Sequence, residues 1–205
     1  MHQEVLTDKG KEIFEKLKDL NGYYLAGGTA LALQIGHRVS VDFDLFSLEK
    51  ISKNLLVKIK KIFIQWPVSA SVNNSDELTV FIKETKVSFI NYPFPVLLDF
   101  VDLDGISTLS IKEIGATKAY TIGRRGSFKD YVDLFFILKK QLSSLEEIIS
   151  LAEKKYKHEF NSRLFLEQLT YTKDIEDADI VLLRDQLDKK TVFDFLYQEV
   201  SKIKF

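Results

Sequence analysis

The 205-residue chain contains no cysteine. That excludes disulfides, a zinc–thiolate centre and a cysteine nucleophile. It has no excess of charge of one sign, with 29 lysines and arginines against 30 aspartates and glutamates. A broad electrostatic grip on nucleic acid is therefore absent, and only a local basic groove remains open. No apolar run approaches a membrane span in length. The N-terminus, Met-His-Gln-Glu-Val, lacks the basic-then-apolar layout of a signal peptide. The expectation is a soluble, cytoplasmic chain with no membrane partner. What is present is an ordinary apolar fraction of 45% with 16 Phe and 8 Tyr, enough for a sizeable core. The length allows one large domain or two small ones.

The rest is organised around residues 24–46. They read as strand, glycine turn, short helix, loop and second strand. Gly27 and Gly28 allow a sharp turn and close approach to a ligand. A helix starting at Thr29 offers free N–H groups and the positive end of its dipole to a phosphate. In Val41–Leu45 the period is two, so Val41, Phe43 and Leu45 face one way and Asp42 and Asp44 the other. Two carboxylates so placed suit a shared magnesium ion, which takes oxygen ligands and usually substrate phosphates as well. Taken singly, the glycines read as a tight turn and the aspartates as a solvated strand face. Arg38 either contacts a triphosphate through paired hydrogen bonds or pairs with Asp42 or Glu49 at the surface. His37 is expected to hold the loop.

Gly27-Gly28-Thr29 followed by Asp42-x-Asp44 resembles the active-site signature of the polymerase-β-like nucleotidyltransferases. The fuller string, with His37-Arg38-x-Ser40-x-Asp42-x-Asp44-Leu45-Phe46, resembles the AbiEii/AbiGii toxin family more specifically. The resemblance implies an α+β fold. Residues 1–105 would form a nucleotidyltransferase-type half with a small mixed sheet, and residues 106–205 a helical half closing the active-site cleft. It implies transfer of a nucleoside monophosphate from an NTP to a hydroxyl of RNA (tRNA included) or protein, with Mg2+ or Mn2+ as cofactor. Asp42 and Asp44 would be the metal ligands, and Gly27, Gly28, Thr29, Arg38 and Lys118 the nucleotide-binding residues. It also implies a toxin with a cognate antitoxin as partner. The alternatives are a nucleotide-binding module without catalysis, or a nucleotidyltransferase outside any toxin system.

Along the chain, helices are expected over 7–20 and 50–63, and strands over 68–72, 78–82 and 86–92. Pro93 and Pro95 then stop regular structure. Polymerase-β-like enzymes usually carry a third acid on a later strand, where Ser88 stands in this chain. Asp99, Asp102 and Asp104 lie beyond it and either substitute for it or read as loop and turn residues before Gly105. A helix over 110–120 is capped by Ser110, with Glu113 completing a capping box. Lys118 lies in its apolar stripe. It either snorkels or sets a cation over phosphates, and Ala116-Thr117-Lys118 matches a string that the family uses in its active site. The helix over 127–142 is apolar almost all round, hence buried. It carries Asp130, which reads either as a cap partner of Ser127 or as a site residue, and Asp133, which needs a partner. Lys118, Arg124 and Arg125 are the nearest cations. By resemblance, Lys118, Asp130 and Asp133 join Asp42 and Asp44 as catalytic residues. Further helices are expected over 143–155, 160–169, 180–183 and 191–203, with Lys154-Lys155 solvated.

Overall fold

The computed structural model describes residues 1–173, 175, 179–184 and 187–203. They divide into two compact units, Met1–Pro95 with Phe100–Leu109, and Val96–Asp99 with Ser110–Phe205.

The first unit holds a mixed seven-stranded sheet. Its strands are β1 (Tyr24–Ala26), β2 (Phe43–Ser47), β3 (Val68–Asn73), β4 (Glu77–Ile82), β5 (Thr85–Asn91), β6 (Val101–Leu103) and β7 (Ile106–Thr108). The spatial order is β3-β4-β5-β2-β1-β7-β6. The β2–β5 and β1–β7 pairs are parallel and the others antiparallel. The central strand β2 begins at Phe43, not Val41. Val41 is exposed and Phe43 is fully buried, so the alternation predicted from Val41 starts two residues late, and Asp42 lies just before the strand. The β6–β7 hairpin is an addition to the predicted strands. Asp104 and Gly105 both take positive φ (55° and 87°), as a two-residue turn with mirror-image geometry requires.

Three α-helices belong to this unit: α1 (Asp8–Leu17), α2 (Gly27–Ile35) and α3 (Leu55–Ile62). The Thr7 side chain caps α1 by accepting the Gly10 N–H. Helix α2 is buried along most of its length and stops at Gly36, left-handed at φ 63°, the usual glycine terminator. Helix α3 starts five residues later than the predicted 50–63.

The second unit is helical: α4 (Ile111–Ile122), α5 (Phe128–Lys139), α6 (Leu145–Tyr156), α7 (Ser162–Thr170) and α8 (Lys189–Ser201). Residues 130–138 of α5 are all buried, as the all-round apolar pattern predicts. Tyr131 and Phe135 meet Phe193 and Phe195 of α8 edge-on. Gly115 lets α4 approach α6, since a Cβ there would lie 3.1 Å from Ile148. Residues 180–183 are not helical, against expectation: four residues cannot repay helix nucleation.

A buried ion pair joins α4 and α6. Lys155 Nζ lies 2.5 Å from Glu113 Oε2, with both side chains fully buried. Glu113 Oε1 accepts the N–H groups of Leu97 (2.5 Å) and Leu98 (3.0 Å), which ties residues 96–99 to this unit. Two expectations fail here. Lys155 is not solvated, and the capping box at Ser110 is only half made. Ser110 accepts the Glu113 N–H, but the Glu113 carboxylate is engaged elsewhere. Among the described residues no helix is long and apolar enough to cross a membrane.

Candidate active site

Strand β1 runs directly into α2, and the junction is Gly27 at φ +69°. A residue with a Cβ pays about 1–2 kcal/mol for that conformation. The second constraint is steric: a Cβ at Gly27 would lie 2.5 Å from Asp44 Oδ2. The β1–β2 register, Ala26 opposite Asp44, sets this closeness. The half-buried Asp44 carboxylate thus rests against the start of a nine-residue helix, where N–H groups and dipole favour negative charge.

Asp42 is exposed, and its loop is anchored from beneath. The buried Thr29 hydroxyl donates to the Asp42 carbonyl and lies 2.7 Å from Ser40 Oγ. The Thr29 side chain therefore positions the Asp42 loop, and the residue as a whole is only 2% exposed. Arg38 is also buried and donates to the Val39 carbonyl at 3.1 Å. Surface pairing with Asp42 or Glu49 does not match that burial. His37 is buried beside it, as its expected loop-holding role requires.

Ser88 pairs with Asp44 across β2 and β5. No acid occupies the neighbouring position where a third carboxylate is looked for. Asp102 and Asp104 do not replace it. Asp102 lies on β6, at the far edge of the sheet from β5, where its carboxylate accepts the Gly105 N–H at 3.1 Å. Asp104 pairs with Lys18 at 2.8 Å, a hydrogen bond that holds its carboxyl below the usual range.

In the second unit, α4 and α5 assemble a compact charge cluster. Lys118 Nζ lies 2.6 Å from Asp130 Oδ1 and 2.5 Å from Asp133 Oδ2. Arg125 closes on Asp130 with Nε at 3.0 Å and Nη2 at 3.4 Å. Lys118, Asp130 and Asp133 are all buried, whereas the Arg125 side chain is 65% exposed. Two carboxylates and two cations balance, as burial demands. Lys118 is therefore not snorkelling, since its amine ends among carboxylates. Asp130 is not a cap partner either, because Ser127 makes no side-chain cap. Arg124 takes no part in the cluster. It stacks over Tyr120, 3.5 Å from the ring centroid, and donates to the Glu159 carbonyl. Arg125 was predicted only as a neighbouring cation, and its spacing of five from Asp130 was the available signal.

A mixed sheet with paired aspartates beside a glycine-started helix defines a nucleotidyltransferase fold, and solved structures agree. MenT4, a nucleotidyltransferase toxin from Mycobacterium tuberculosis H37Rv, matches with a TM-score of 0.61 at 15% identity, over 94% of this chain and 83% of that one. A putative nucleotidyltransferase from Helicobacter pylori matches with 0.53 at 17% identity, over 100% and 96%. An uncharacterized protein of Aquifex aeolicus (strain VF5) is 34% identical over 182 residues, 84% of this chain and 85% of its own length. The family model described as nucleotidyl transferase AbiEii toxin, type IV toxin–antitoxin system, matches residues 14–86 and 77–199. The chain belongs to that family.

Proposed function

We propose that the protein transfers a nucleoside monophosphate from an NTP to a hydroxyl of RNA or protein, with pyrophosphate leaving. The observation that carries this reading is the contact between Gly27 and Asp44. A glycine required twice over, by φ and by space, keeps a carboxylate at the mouth of a helix N-terminus. A nucleotide bound there would meet N–H donors for its phosphates and carboxylates for a counter-ion in one place.

The donor set fits magnesium or manganese. Asp42 and Asp44 offer only oxygen, lie at the accessible start of β2, and border a cradle that a Cβ would fill. These two residues would hold the ion, which when bound neutralises phosphate charge and orients the reacting oxygens. Two carboxylates are too few for a magnesium cage, so nucleotide phosphates would complete the coordination. Thr29 and Ser40 keep the Asp42 loop in register. Lys118, Asp130 and Asp133 enter the reaction on the strength of the motif they match, with Lys118 balancing phosphate charge and an aspartate orienting it or accepting a proton. The family points to a toxin, and a cognate antitoxin would be its protein partner.

The test is a mass-spectrometric screen. The protein is incubated with Mg2+, each of the four NTPs, and cellular RNA and protein; a mass increment of one nucleotide on an acceptor, with matching pyrophosphate, is expected. A second reading, a nucleotide binder without catalysis, is favoured by Ser88 at the third-acid position. It predicts a raised melting temperature with nucleotide and Mg2+ but no pyrophosphate.

A further inference from the structure

Charge is spread unevenly along the chain. Residues 51–75 carry four lysines and no acid, so the rest holds 25 cations (29 less 4) against all 30 acids. This stretch contains α3. Leu55, Ile59 and Phe63 turn one side of it inward. Lys53, Val57, Lys60, Lys61 and Ile64 follow the opposite side at helical spacing, with Lys53 just before the helix and Ile64 just after it. All five are exposed, Val57 by 53% and Ile64 by 79%. Lys58, also exposed, borders this side. Among the described residues none of these four lysines forms an ion pair. Lys9, Lys11, Lys18, Lys50 and Lys83 of the same unit each meet an acid. The helix dipole accounts for Lys60 and Lys61 in the last turn, but it opposes Lys53 beside the first turn, which carries no acid. Unneutralised lysines, one of them set against the dipole, thus border two bare apolar side chains. The stripe also leads to the site end of the sheet. Val68 at the start of β3 pairs with Ile82, Ile82 with Thr85, and Phe43 at the start of β2 with Val87. The chain therefore leaves α3 at the end of the sheet where Asp42 and Asp44 stand, three strand spacings from β2, about 14 Å.

We infer that this side of α3 is a docking track for the phosphate backbone of RNA, which makes RNA, not protein, the acceptor. The inference rests on the nucleotidyl-transfer reading, which leaves both acceptors open. Lys53 and Lys61 are eight residues apart, about 12 Å along the helix, so the two ends of the track meet different phosphates of one strand. Val57 and Ile64 lie between them, where sugars and bases pass. Ammonium groups on long stems act as point charges, and phosphate contacts position a strand without reading its sequence. The track is the local basic surface that a near-neutral chain leaves open to nucleic acid. Two aliphatic side chains offer little to insert into a bilayer, so the lysines serve a strand in preference to a membrane. They are positioning residues and touch no reacting atom.

The experiment measures binding of the full chain to fluorescein-labelled single-stranded RNA of mixed sequence, by anisotropy over a series of KCl concentrations. Wild type is compared with a triple variant, Lys53→Gln, Lys60→Gln and Lys61→Gln, and with the same three lysines changed to Arg. The control is Lys9→Gln, Lys11→Gln and Lys18→Gln, an equal charge change at lysines already paired with acids. Glutamine keeps the helix preference of lysine, and exposed pairs contribute little stability, so all variants should fold. The α3 glutamine variant should bind about tenfold more weakly or worse at about 0.1 M salt, and its log–log salt slope should fall by about 2, roughly 0.7 per lost phosphate contact on a single strand. The arginine variant should keep both, and the control should bind within about twofold of wild type. In pyrophosphate release with Mg2+, NTP and cellular RNA, the α3 glutamine variant should raise the RNA KM about tenfold and keep kcat within about twofold, as loss of uniform binding requires. Equal slope losses in the α3 and control variants, or no RNA binding by wild type, overturns the track while leaving nucleotidyl transfer standing. Wild type that ignores RNA but binds phosphatidylserine vesicles or polyglutamate through these lysines overturns it as well, and names the other partner. RNA binding that fails in the α3 glutamine variant, with no pyrophosphate release from wild type with any NTP, upholds the track and overturns nucleotidyl transfer.

Discussion

The two units use the same side chains in opposite settings. In the first, Asp42 and Asp44 lie two residues apart, with Asp42 in water and Asp44 half-buried against a helix start. In the second, Asp130 and Asp133 lie three apart and buried, with Lys118 between them and Arg125 outside. The first pair is partly open to solvent; the second is buried with its charge balanced within the fold. Removing a charge should therefore have opposite consequences. In the first unit it should cost function and spare stability. In the second it should cost stability, because breaking a buried pair leaves an uncompensated charge.

The largest effect is expected at Asp42. Asp42→Asn should lower nucleotidyl transfer by about 10³-fold or more, as the several kcal/mol that a metal contributes are withdrawn. Thermal unfolding should show equal or raised stability, since one of two neighbouring like charges is gone. A melting temperature several degrees below wild type would show that Asp42 is structural and would erase the contrast. Gly27→Ala sharpens the same point. It should cost about 1–2 kcal/mol of stability, but the displaced Asp44 carboxylate should cost activity far more, read as transfer rate at matched folded fraction.

Next come the buried pairs of the second unit. Glu113→Ala should destabilise by about 3–5 kcal/mol, measured by urea unfolding, because it strands the Lys155 ammonium and two backbone N–H groups. Replacing Glu113 and Lys155 together by apolar residues should cost less than Glu113→Ala alone. The reverse order would mean that the pair itself, not the stranded charge, sets the stability.

Lys118 is where the two kinds of consequence meet. If its ammonium contacts phosphate, Lys118→Met should weaken nucleotide binding by about 1.5–3 kcal/mol. That substitution also leaves Asp130 and Asp133 together in a buried site without the ammonium that lies between them. Like charges there must repel or take up a proton, so Lys118→Met should also lower the melting temperature. Adding Asp133→Asn should recover stability without recovering affinity, as calorimetric titration with nucleotide and Mg2+ would reveal. Recovery of both would reduce Lys118 to a structural role.

Much of this was legible before any coordinates. The period of two around Phe43 and the glycines at 27 and 28 are local signals, and the structure keeps both, apart from the late start of β2. The strands over 68–92 were legible for the same reason. What failed was long-range or undersized. Glu113 and Lys155 are 42 residues apart, so nothing local distinguishes Lys155 from Lys154, which is exposed. Glu113 carried a strong capping-box signal, but a stronger partner took its carboxylate. The Asp104-Gly105 dipeptide is a good hairpin signal, but three-residue strands on either side are too short to show alternation. The alignment of Asp44 with Ser88 and Thr79 needed the register of three strands, which no spacing in the sequence encodes.

The smallest effect is expected at an exposed acid of the second unit, in the first turn of α6. Glu147 lies 3.1 Å from Lys112, accepts the Ser143 hydroxyl at 2.9 Å and the Ser144 N–H at 3.3 Å, and so completes a capping box at the start of α6. The Lys112 contact first, then the two serines, hold its carboxyl below the ordinary value of 4.5. A depressed folded pKa means that the stabilisation is fully present above the unfolded pKa and is lost as pH falls through the folded one. Glu147→Gln keeps an oxygen for the Ser144 N–H, as glutamine does in capping boxes, and removes only the charge. Wild type should therefore melt slightly above the variant at neutral pH, and the gap should close from about pH 5 downward as the carboxylate takes its proton. High salt should shrink the gap as well, because Lys112 and Glu147 are both exposed. A gap that widens on acidification would mean that the charge opposes α6, and that this acid, unlike Asp130 and Asp133, is housed against its neighbours.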